Sequence, residues 1–104
     1  MKFPIVIDEN GDLSFFTSKE LAQRWLEPVD VEAGEYVGYD AEGRLLSITA
    51  VDEYSVRIDL LDAAPTHAPV LKEKLQAFAQ KFPAGVQAGD LQGPIRQFKA
   101  LFDS

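Results

Sequence analysis

One stretch of this sequence concentrates groups that could recognise another molecule. Glu27, Asp30, Glu32, Glu35, Asp40 and Glu42 follow one another with no intervening base, and Tyr36 and Tyr39 lie among them. Carboxylates at this density repel one another unless something compensates, and a cationic protein partner compensates while associating faster. Tyrosine beside acid is also a common anchor at protein interfaces. Asp30, Glu32, Glu35, Tyr36, Tyr39, Asp40 and Glu42 are therefore the candidate partner-binding residues, with Trp25 and Tyr54 expected nearby. The plain alternative is a solubilising acidic loop.

Catalytic chemistry finds less to work with. The chain has no cysteine and one histidine, which removes thiol nucleophiles, thiolate metal sites and disulfides. That histidine, His67, sits between Pro65 and Pro69 and suits a surface loop or the start of a helix. No Gly-x-Ser-x-Gly elbow accompanies it, so triad chemistry is out. Asp8-Glu9-Asn10-Gly11-Asp12 looks like a calcium loop, but an EF-hand needs glycine and glutamate where Leu13 and Lys19 stand. A hairpin turn with solvated acids is the expectation there. Gly34, Gly38 and Gly43 are scattered rather than gathered before a helix, which argues against a phosphate loop. No catalytic residue, cofactor or metal is expected. With 17 acids, close carboxylate pairs are inevitable and uninformative, and Asp59 is expected to pair with a cross-strand arginine such as Arg44.

The 104 residues amount to one domain, with 46% hydrophobic and 26% charged residues, an ordinary globular balance. Ten bases against 17 acids give a formal charge of −7. Residues 1–62 hold 14 acids and five bases, whereas residues 63–104 hold three acids and five bases. A net negative globule repels phosphate backbones and anionic lipid, so neither nucleic acid nor membrane is an expected partner. The basic residues Lys72, Lys74, Lys81, Arg96 and Lys99 read as solvated helix faces. The apolar run Phe3–Ile7 is too short for a signal-peptide core or a membrane span, so the expected compartment is the cytoplasm.

These groups must be positioned by the elements around them. β-Branched Ile5, Val6 and Ile7 mark a first strand, and Asn10-Gly11 a tight turn into a second over Leu13–Phe16. Thr17-x-x-Glu20 fits a capping box for a helix of about ten residues, with Leu21, Ala22, Trp25 and Leu26 on one stripe. Pro28 ends it, Trp25 is expected as its core anchor, and residues 27–35 read as an irregular connection. A meander follows: Tyr36–Tyr39, a turn at Asp40–Gly43, Arg44–Val51, and Tyr54–Leu61. Leu71, Leu75, Phe78 and Phe82 then form one helical stripe. Leu91, Ile95, Phe98 and Phe102 form a second, on a helix capped by Asp90 or begun at Pro94. The order β-β-α-β-β-β-α-α predicts an α+β fold, an antiparallel sheet of about five strands with helices on one face.

Ser18 through Asp30, followed by Gly34-Glu35-Tyr36-Val37-Gly38-Tyr39-Asp40-Ala41-Glu42-Gly43-Arg44-Leu45-Leu46, resembles small uncharacterised bacterial proteins grouped with immunity proteins of polymorphic and contact-dependent toxin systems. The likeness spans residues 13–61. Tyr39-Asp40-x-x-Gly43-Arg44-Leu45 also matches one copy of the tyrosine–aspartate repeat of large bacterial shell and toxin proteins, where copies come in tandem. The first resemblance implies a non-enzymatic acidic binding protein that neutralises a cognate cationic toxin domain. The alternative is a self-associating structural or regulatory module, a homodimer held by the aromatic stripes through Phe98 and Phe102.

Overall fold

The structure, a computed structural model, describes residues 1–80. The second stripe (Leu91, Ile95, Phe98, Phe102), with Lys81, Phe82, Arg96 and Lys99, lies outside the described residues. Within them the elements are β1 (Ile5–Glu9), β2 (Asp12–Phe16), α1 (Lys19–Trp25), α2 (Pro28–Glu32), β3 (Tyr36–Tyr39), β4 (Leu45–Ala50), β5 (Val56–Leu60) and α3 (Ala68–Gln80). The five strands form one sheet in the order β2-β1-β3-β4-β5, and every pairing is antiparallel. The α+β class is therefore as expected.

The β1–β2 turn follows from its residues. Asn10 (φ 53°) and Gly11 (φ 97°) both take positive φ, and the Gly11 amide donates to Asp8 Oδ1 at 2.8 Å. Two successive positive φ values are what a type I′ turn requires, and asparagine and glycine tolerate them best. The pairing it dictates sets Glu9 opposite Asp12 and Ile5 opposite Phe16.

Helices cover both faces of the sheet, not one. Ile5 and Ile7 pack with Leu46, Val56 and Ile58 beneath Ala22 of α1 and Leu26, which caps its C-terminus. Val6 points the other way and packs with Leu13 and Tyr39 beneath Leu71 and Leu75 of α3. Alternate strand residues face opposite sides. Three consecutive buried residues, Ile5-Val6-Ile7, therefore demand cover on each side, at about 1.5–3 kcal/mol per buried aliphatic side chain.

The helices also differ locally from expectation. Ser18, not Thr17, caps α1: its Oγ accepts from the Leu21 amide at 3.1 Å. Trp25 is not the core anchor. It stands 53% exposed and tilts against Phe16 with ring centroids 5.5 Å apart. Ala22 and Leu26 are buried in the core instead. Gln23 and Lys19 reach β5: the Ile58 amide donates to Gln23 Oε1 at 2.9 Å, closing part of an open sheet edge. Pro28 does end α1, but it also starts α2, since its missing amide donor costs nothing at the first helical position. The presumed irregular connection is thus partly a short helix, and α2 packs against β4.

Candidate functional site

The seven candidate residues do not form one surface. Tyr36 and Tyr39 are three apart on one strand and so face opposite sides of the sheet. Tyr36 packs at the margin of the α1 side, whereas Tyr39 is buried under α3, with Lys74 Nζ 4.9 Å from its ring centroid. Asp40 is wholly buried. Its Oδ1 accepts from the amides of Glu42 (3.0 Å) and Arg44 (2.8 Å). Its Oδ2 accepts from the Lys2 amide (3.0 Å) and Arg44 Nη1 (3.1 Å). Burial pushes this carboxyl up, but the hydrogen bonds from Arg44, Lys2 and Glu42 outweigh it and hold the group below the usual carboxylate range. Asp40 is the internal brace of the β3–β4 turn, and neither it nor Tyr39 belongs to a docking face. Glu42 is neutralised by Arg44 Nη2 at 3.1 Å.

Gly43 completes that turn. Its φ is +89°, and a Cβ placed on it would come within 2.4 Å of the Ala68 backbone. His67 donates its amide to the Gly43 carbonyl (3.0 Å) and accepts from the Leu71 amide (2.9 Å), so it stands at the start of α3.

Other acids are consumed in the same way. Asp8 meets Lys74 at 2.7 Å. Asp59 meets Arg57 at 2.7 Å and Lys19 at 3.4 Å, not Arg44 as expected, because the register sets Ser47 opposite Asp59. Lys19, Arg44, Arg57 and Lys74 are thereby committed to the β3–β4 turn, β5 and the α3 side.

Of the carboxylates left without an ion pair among the described residues, Glu20, Asp62 and Glu73 stand apart, on α1, after β5 and on α3, and seven gather around α2. Glu9, Asp30 and Glu35 bring carboxylate oxygens within 4.8 Å of one another. Glu32, Asp52 and Glu53 line one groove with Pro28 and Val29, and Glu27 is the residue before the helix. Among the described residues none of these seven carboxylates has an ion-pair partner within 4.0 Å. Asp30 foremost, then partial burial and Glu9, raise the Glu35 carboxyl. The Tyr36 hydroxyl, which donates to Asp30 Oδ2 at 3.3 Å, is pushed up to about 12 by its burial, with Glu9 and Asp30 adding to it.

Asp30, Glu32 and Glu35 are thus brought together, Tyr36 sits at their edge, and Tyr39, Asp40 and Glu42 go to the opposite end of β3. Glu9, Val29, Asp52 and Glu53 were not among the sequence candidates. Asp52-Glu53 reads locally as a polar break, and only the packing of α2 on β4 carries it to the acidic end. Tyr54, 89% exposed, lines a second groove of ≈ 680 Å³ with Glu20, Gln23 and Arg24 of α1. No helix among the described residues is long and apolar enough to cross a membrane. No family model matches the chain, and neither a curated protein nor a solved structure shows significant similarity to it.

Proposed function

We propose that this chain is a non-enzymatic binding protein whose α2 end docks a cationic protein partner. One observation carries the reading: the cations of the described residues that form ion pairs do so elsewhere, while seven carboxylates crowd one end with none. A surface of that kind raises the association rate of an oppositely charged protein by about ten- to a thousandfold. The resemblance carried by residues 13–61 narrows the partner to a toxin domain that must itself hold phosphate, and makes the chain a cytoplasmic immunity protein. Neutralisation then consists of occupying the basic surface where the toxin's substrate would bind, and it needs no catalysis.

The test is co-expression with a cationic toxin domain encoded beside the gene. Wild-type protein is expected to protect the host, and Asp30→Asn/Glu32→Gln/Glu35→Gln to lose that protection while remaining folded. Undiminished protection by the variant would overturn the surface assigned here. A neighbouring gene without such a domain would overturn the immunity role.

A further inference from the structure

We infer that the partner's contacting segment carries an apolar side chain flanked by lysine or arginine, and that it seats in the groove between α2 and the β4–β5 turn (residues 51–55). This rests on the reading above and narrows it. The groove, ≈ 330 Å³, is lined by Pro28, Val29, Glu32, Asp52 and Glu53. Val29 and Glu32 are i, i+3 neighbours on one side of α2. Asp30 is turned instead toward the Tyr36 hydroxyl. Helix α2 therefore presents Asp30 to β3 and an apolar residue with an acid to the groove. Val29 is 66% exposed there, and Val51 at the start of the turn is exposed as well.

The composition selects the occupant by complementarity. Pro28 and Val29 offer apolar area, and Glu32, Asp52 and Glu53 offer negative charge with no cation within 4.0 Å among the described residues. A neutral apolar peptide would desolvate three carboxylates without pairing them. A purely polar polycation would leave Pro28 and Val29 in water. Nucleic acid would be repelled. The space is at the low end for a small-molecule site and fits one or two side chains. The neighbouring groove against α1 mixes Glu20 with Arg24 and does not share this selectivity.

The experiment uses the full-length, ¹⁵N-labelled chain and two amidated, acetylated pentapeptides, Lys-Lys-Leu-Lys-Lys and Lys-Lys-Ser-Lys-Lys. Amide shifts give both the site and the affinity. The leucine peptide is expected to bind about fivefold more tightly than the serine peptide, the share of one half-buried apolar side chain. Shifts should fall on residues 28–32 and 51–55. Val29→Ser should erase the leucine preference and leave serine-peptide affinity intact, whereas Glu73→Gln on α3 should change neither. Equal affinities with shifts at the α2 end would overturn this inference and leave the acidic docking surface standing. Shifts elsewhere, or none with either peptide, would overturn both.

Discussion

Replacing Asp40 by alanine separates bracing from docking. The carboxylate accepts four hydrogen bonds, from the amides of Lys2, Glu42 and Arg44 and from the Arg44 guanidinium. Removing it strands three amides and half of a fork. Arg44 keeps Glu42 at 3.1 Å and the Ala63 carbonyl at 2.8 Å, so its own charge is not abandoned. Breaking a buried pair by deleting one partner costs about 3–5 kcal/mol, and the retained contacts place this case near about 3. For a domain of about 100 residues, that lowers Tm by about 12–20 °C. Because the folded carboxyl is held below its usual range, its contribution is complete above the unfolded pKa near about 4. It is lost as pH falls through the lower folded value. Urea denaturation followed by circular dichroism at about pH 7, 5 and 3 should show a constant gap from wild type at the first two and a narrower one at the third. A gap below about 1 kcal/mol at neutral pH, or one unchanged in acid, would refute the bracing role.

Three further expectations follow from the same geometry. Gly43→Ala adds a Cβ 2.4 Å from the Ala68 backbone at φ +89° and should cost about 2–4 kcal/mol, read by the same denaturation; a loss under about 0.5 would contradict the turn's geometry. Leu26→Ala should cost about 2–4 kcal/mol and Trp25→Ala less than about 1, an order that a Trp-anchored core would reverse. Glu35→Gln should raise Tm at neutral pH and low salt. Asp30, partial burial and Glu9 raise the folded pKa of Glu35, so its ionised form costs stability above that pKa and the cost fades as pH falls to the ordinary glutamate value. A variant no more stable than wild type under those conditions would mean that the acidic end is already compensated.

How far the sequence predicts this molecule depends on whether each signal is local. Asn10-Gly11 must turn whatever surrounds it, and the alternating strands of the meander pair as expected, so the sheet was legible. The placement of helices was not, although the unbroken Ile5-Val6-Ile7 run already implied burial on both faces. Trp25 misled because size suggests an anchor, while the position against the sheet went to Ala22 and Leu26. The acidic stretch was legible as charge but not as surface. Strand alternation separates Tyr36 from Tyr39, and a turn that needs a carboxylate brace draws Asp40 inward. Asp52 and Glu53 join the site only through tertiary packing, which local sequence does not reveal.

On the proposed reading, location rather than net charge makes the α2 end a docking surface. Two variants with the same formal charge test it: Glu32→Gln/Asp52→Asn/Glu53→Gln at that end, and Glu20→Gln/Asp62→Asn/Glu73→Gln elsewhere. Their association rates with the cationic partner domain, measured by stopped flow at about 20 mM and about 200 mM salt, decide the matter. The first variant should associate about tenfold more slowly than wild type at the lower salt, and the second within about twofold of it. Equal slowing of both variants would contradict the account.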